Sequence, residues 1–162
     1  MITRDAGIQY SPSWSPDGSQ LTVGSTDSGT TQIWTLNADG SHGKQLTFGL
    51  GPDGPDANAP SWSPNGDQIA FWSDFENEYG EVFVMNSDGT RSRRLTTTAD
   101  PWNSDDPAWA PDGTALVFGS NQGDAIGAFT VDLSGSAPTR IAPLAFGAGV
   151  CAWKPLLPKD EH

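Results

Sequence analysis

The sequence predicts an all-β fold of tandem four-stranded antiparallel units, on three observations. The chain is dense in turn formers, with 19 Gly and 13 Pro in 162 residues, and helix formers are scarce. A motif recurs in register as Pro12-Ser-Trp-Ser-Pro-Asp-Gly18, Pro60-Ser-Trp-Ser-Pro-Asn-Gly66 and Pro107-Ala-Trp-Ala-Pro-Asp-Gly113. Behind each copy, apolar residues alternate at period two and stop at a Ser, the pattern of a strand with one apolar face.

The first strand of each unit carries the motif tryptophan. Trp14, Trp62 and Trp109 lie 48 and 47 residues apart, and Trp153 follows 44 residues later. The second strand begins after the Asp-Gly or Asn-Gly turn and holds Leu21-x-Val23-x-Ser25, Ile69-x-Phe71-x-Ser73 and Leu116-x-Phe118-x-Ser120. The third is Ile33-Trp34-Thr35-Leu36, then Val82-Phe83-Val84-Met85, then Ala128-Phe129-Thr130-Val131. Each third strand runs into an Asx/Gly turn, at Asn37-Ala-Asp-Gly40, Asn86-Ser-Asp-Gly89 and Asp132-Leu-Ser-Gly135, where the side chain caps the backbone. Six residues beyond each glycine stands the fourth-strand pair: Leu46-Thr47, Leu95-Thr96 and Ile141-Ala142.

A 44- to 48-residue period with four strands per unit is that of a β-propeller blade. One blade cannot bury both faces; neighbours do that, and the recurring Trp and Phe supply the core between them. Full blades are expected at residues 10–47, 58–96 and 105–142. Stray strands of incomplete blades are expected at 1–4 and 149–153, with a tail at 154–162. Three blades fall short of the roughly four to eight that close a ring, so the chain is read as half of a closed propeller. Its partner is expected to be itself, as a homodimer, because an open arc would leave apolar blade faces in water.

The unit W-S-P-[DN]-G, an aliphatic-x-[FV]-x-S strand, an aromatic strand, D-G and L-T resembles the WD-repeat-like propeller repeat of the TolB family. The resemblance covers residues from about Ile2 to Trp153. It implies a propeller of about six blades, a fold also found in propeller domains of some peptidases, and a parent family often periplasmic or secreted. The chain itself opens without the apolar core of a signal peptide.

The net charge of −12 argues against nucleic acid, which needs a basic footprint, and no apolar window is long enough to cross a membrane. The single cysteine, Cys151, leaves no internal disulfide framework and no multi-Cys metal site. The histidines are His42, in a hairpin, and His162, at the end, with no nucleophile motif beside either. No phosphate-binding or dinucleotide motif occurs. A catalytic site is therefore not expected.

Binding is expected in the blade-to-blade connections, because only these change much in length. Leu-Thr to the next Trp spans 16 residues in one case and 14 in the next, against 12 at either end. Variable loops on a fixed scaffold are where recognition usually resides. The first long connection, Phe48 to Asn58, brings Asp53 and Asp56; the second, Thr97 to Asp106, brings Trp102, Asp105 and Asp106. These five are the candidate contacts for a protein or peptide ligand. Asp100, Asp105 and Asp106 are the candidate cation ligands, with calcium the ion their hard oxygens suit. The competing expectation is an accessory propeller of a larger exported enzyme such as a peptidase.

Overall fold

The computed structural model describes residues 7–49, 54–76, 79–97, 104–121 and 126–143. The expected stray strands at 1–4 and 149–153, and the tail, lie outside these residues. Within them the chain is all-β, without a helix, and forms three four-stranded antiparallel sheets.

The first blade is β1 (Gln9–Trp14), β2 (Gln20–Ser25), β3 (Gln32–Asn37) and β4 (Lys44–Gln45). The second is β5 (Ala57–Trp62), β6 (Gln68–Ser73), β7 (Glu81–Asn86) and β8 (Arg93–Arg94). The third is β9 (Ser104–Trp109), β10 (Ala115–Ser120), β11 (Gly127–Asp132) and β12 (Thr139–Pro143). In every blade sequential strands are spatial neighbours, a meander.

The turns account for much of the acidity. Asp17, Asp39, Asp88, Asp112 and Asp132 each accept a bond from the backbone N–H two residues on, at 2.8 to 3.0 Å. The hydroxyls of the next Ser or Thr add to this at several of them, and these bonds hold all five carboxyls below the ordinary value of 3.8. Asp17, with bonds from Ser15 and Ser19, falls to about 2, as does Asp132, with bonds from Ser134 and Ser136.

The core lies between blades. Ile33 and Leu46 of the first blade meet Trp62, Ile69, Phe71, Phe83 and Met85 of the second. Ala70, Val82, Val84 and Leu95, from the opposite face of the second blade, meet Trp109, Leu116, Phe118, Phe129 and Val131 of the third. Alternation along β6 thus sends Ile69 and Phe71 to one neighbour and Ala70 to the other. The Leu-Thr pair has a separate job for each member. Leu46 and Leu95 are buried in these cores, while Thr47 and Thr96 each accept the first core N–H of the third strand, from Ile33 at 2.8 Å and Val82 at 2.9 Å. The third repeat has Ala142 in place of that Thr.

Each inner strand, β5 or β9, packs across the first three strands of the blade before it. That contact buries the motif tryptophans: Trp62 and Trp109 are each 8% exposed, and Trp109 Nε1 donates to Ser61 O at 2.9 Å. Trp14, at the same position in the first blade, is 52% exposed, and Ile8 and Tyr10 beside it are also exposed.

All three inner strands break register at one place. Ser11-Pro12, Ala59-Pro60 and Asp106-Pro107 each put two residues opposite one partner, a β-bulge. The residue before proline takes φ of +46°, +51° and +47° respectively, in the left-handed region. Proline, which cannot donate to the ladder, sits where the ladder is interrupted. Asp tolerates this conformation better than Ala does.

Candidate functional site

The connection from the first to the second blade runs from Thr47 toward β5. Gly49 presses against Gln32 and Pro55 so closely that an added Cβ would stand 2.7 Å from both Gln32 Nε2 and Pro55 O. Gln32, fully buried, donates to Pro55 O at 2.8 Å and Thr30 Oγ1 at 2.9 Å, tying the far end of the connection to the first blade.

Asp56 lies in this seam. Its carboxylate accepts the Thr31 N–H at 2.7 Å, and its own N–H donates to Asp74 Oδ1 at 2.7 Å. Ser73 Oγ donates to Asp56 O at 2.7 Å. The residue expected to face a ligand therefore also laces the first blade to the second. Burial raises the Asp74 carboxyl above its ordinary value, and the Asp56 charge pushes the same way against the lowering N–H bond.

On the second connection, Asp105 and Asp106 belong to β9, with Asp105 opposite Gly119. Asp106 is half-buried on the bulge, and burial raises its carboxyl. Asp53, Asp100 and Trp102 lie outside the described residues, so of the five candidate contacts the structure places Asp56, Asp105 and Asp106. The candidate calcium set of Asp100, Asp105 and Asp106 has its first member outside as well. Among the described residues no group of three His, Cys, Asp or Glu could hold a metal ion.

His42, at φ +55°, bonds through Nδ1 to the Asn37 side chain at 3.0 Å and to Ser41 Oγ at 2.8 Å. These bonds shape its hairpin turn, and no carboxylate is hydrogen-bonded to it among the described residues. Cys151 lies outside them.

A cavity of about 300 Å³, not anticipated from the sequence, opens between the first two blades. Its back wall is Phe71 stacked on Phe83, ring centroids 5.6 Å apart. Phe48, from the connection, and Phe75, from the hairpin between β6 and β7, line its mouth at 65% and 61% exposure. Glu76 and Arg93 also line it, and Glu76 pairs with Arg94 at 2.8 Å. The sequence signal for it was a comparison among repeats. Thr97 holds the Phe48 position in the next repeat, and Asp27 and Gln122 hold the Phe75 position in the other two.

A family model describing the TolB beta propeller domain matches residues 1–157. The Tol-Pal system protein TolB of Anaeromyxobacter dehalogenans (strain 2CP-C) is 36% identical over 113 residues, which cover 67% of this chain and 23% of that protein. The uncharacterized peptidase YuxL of Bacillus subtilis (strain 168) is 28% identical over 127 residues, covering 70% of this chain and 17% of that one. The chain thus spans less than a quarter of the length of either relative. Among solved structures, the putative TolB from Agrobacterium tumefaciens superposes with a TM-score of 0.69 at 22% identity, covering 85% of this chain and 49% of that one.

Proposed function

Because this chain belongs to the TolB beta propeller domain family, we propose that it is a non-enzymatic propeller scaffold that binds a protein or peptide through its blade-to-blade connections. What carries the reading is where the chain departs from its own repeat. Strands and hairpin turns keep their spacing, while the two long connections vary in length and bring Asp53, Asp56, Trp102, Asp105 and Asp106. Fold alone does not assign function; the relative named for the Tol-Pal system supports a protein partner.

The blades complete a ring in this reading, with a second copy of the chain as the partner. The exposure of Trp14, against the burial of Trp62 and Trp109, supports a missing neighbour on the first blade. A blade of the same kind fits there, since its inner strand would offer the carbonyl that Ser61 offers Trp109. Full blades at 10–47, 58–96 and 105–142 are the units of this ring. A cation held by Asp100, Asp105 and Asp106 would sit among the same connections.

The alternative is an accessory propeller of a larger exported enzyme, favoured by the match to the peptidase YuxL. A hydrolase segment elsewhere in the parent chain would decide for it.

The test is selection of peptides from a displayed library on the whole chain, followed by titration of the winners against Asp105→Asn with Asp106→Asn. Asn keeps the left-handed bulge conformation. The scaffold reading expects winners whose affinity drops about tenfold on the double variant, roughly the loss of one charge-assisted contact. A library that yields no binder sinks the reading. Binders indifferent to the change remove the acidic connections from it.

A further inference from the structure

The three repeats serve as internal controls for one another at the cavity between the first two blades. The blade fold is built in the other repeats with Thr97 in place of Phe48, and with Asp27 or Gln122 in place of Phe75. Packing therefore does not require these two aromatics, and both rings stand largely in water. They open onto a hollow walled by Leu46, Ala57 and the Phe71–Phe83 stack. Its volume of about 300 Å³ is at the lower end for ligand sites, which suits a single anchoring side chain.

The charge at this end of the blades is the second observation. Strands alternate in direction, so the Asx turns stand at one end and the β2–β3 and β6–β7 hairpins at the other, with the connections. Phe48, Phe75 and Glu76 place the cavity mouth at the hairpin end. There the described residues of the first two blades bring Asp27, Asp56, Asp74 and Glu76. Their cations go elsewhere. Lys44 Nζ donates to Asp88 O at 2.9 Å, in a turn at the opposite end. Arg93 lines the cavity wall, yet its guanidinium reaches out to Leu133 O of the third blade at 2.7 Å. Arg94 comes to the mouth and is neutralised there by Glu76 Oε2 at 2.8 Å, a pair that leaves Oε1 to a second donor. Four carboxylates against one guanidinium keep this end negative, within a chain of net charge −12.

We propose that this cavity takes the aromatic side chain of a basic segment of a partner protein. The ring enters between Phe48 and Phe75 against the Phe71–Phe83 stack, where rings meet face or edge. Lysines or arginines beside it stay in water, one of them donating to Glu76 Oε1 and the others held by the field of the carboxylates. Charge selects the occupant: an acidic segment is repelled from this end, and a neutral one gains the anchor alone. The inference rests on the protein-binding reading above and gives the partner a chemistry.

The experiment is fluorescence anisotropy of four labelled probe peptides titrated with the whole chain at low and at physiological salt. Three share a central phenylalanine and carry lysine, serine or glutamate on both sides of it; the fourth has lysine flanks and a central alanine. With lysine flanks, phenylalanine is expected to bind at least about tenfold more tightly than alanine, the scale of one buried aromatic anchor. Among the phenylalanine peptides, affinity is expected to fall from lysine to serine to glutamate, with the differences shrinking as salt rises. Phe48→Thr and Phe75→Gln, which install residues other repeats already use, are expected to abolish the preference for phenylalanine with the melting temperature unchanged. Glu76→Gln is expected to narrow the gap between lysine and serine flanks. No binding of any probe, or equal affinity for phenylalanine and alanine, overturns the proposal while leaving the scaffold reading to the display selection. Glutamate flanks that bind as well as lysine flanks refute the basic partner. A preference for phenylalanine that ignores Phe48→Thr and Phe75→Gln refutes this cavity as its seat.

Discussion

Replacing Trp109 and Trp14 by alanine, one at a time, makes the same chemical change at equivalent positions of two blades. A tryptophan side chain buries about 200 Å², and at about 25 cal/mol per Å² that is roughly 5 kcal/mol as an upper figure. Trp109 is 8% exposed and its Nε1 bonds Ser61 O, so Trp109→Ala should cost about 3–5 kcal/mol. Trp14 is 52% exposed. About half the area is at stake there, and Trp14→Ala should cost the isolated chain about 1–2 kcal/mol. Urea titrations followed by circular dichroism read both, since a change in midpoint at constant slope is a change in stability. If a second copy covers Trp14, the missing cost reappears as lost association, and the gap between the variants narrows as protein concentration rises. Equal costs at every concentration would refute the claim that the first blade lacks the neighbour the third one has.

Three further outcomes follow from particular atoms. Ala59→Gly should stabilise the chain by about 1 kcal/mol, because Ala59 is held at φ +51°, where glycine has no steric penalty; the melting temperature reads it. Thr96→Val should cost about 1–3 kcal/mol, since it takes the acceptor from the Val82 N–H and one partner from the buried Glu81. Thr47→Val should cost less in the same urea titration, because Thr47 serves a backbone N–H alone in the bonds seen here. Stability should fall as the solution is taken from pH 3.8 down to about 2, because the folded carboxyls of Asp17 and Asp132 are held near the lower value and protonate last. Their contribution is present above the ordinary carboxylate value and is lost through that window. Asp74 and Asp106, raised by burial, act in the opposite sense. Melting temperature against pH checks this, and Asp17→Asn with Asp132→Asn should shrink the fall.

The architecture was legible because each of its causes is local. Period-two alternation in Ile69-x-Phe71-x-Ser73, Asx turns at Asp39-Gly40 and Asp88-Gly89, and a tryptophan every 44 to 48 residues each act within a few neighbours. What stayed hidden depends on contacts between distant segments. Nothing near Ala59 in the sequence says that a bulge holds it left-handed; Pro60 was the only trace. Asp56 reads as a loop carboxylate, yet its partner is the N–H of Thr31 in another blade, 25 residues away. Phe48 and Phe75 come from different turns, and only folding shows that they border one cavity. Leu46 and Thr47 were visible as a motif, but the division of labour between core and cap was not.

The central proposal is that a second copy of the chain packs against the first blade and continues the ring of blades. Light scattering on a sizing column, over a range of concentrations, tests it most directly. A stable mass near twice 17.1 kDa, reduced to one chain by Trp14→Asp, is the result the account predicts. A compact 17.1 kDa species at every concentration, unchanged by that substitution, would contradict it.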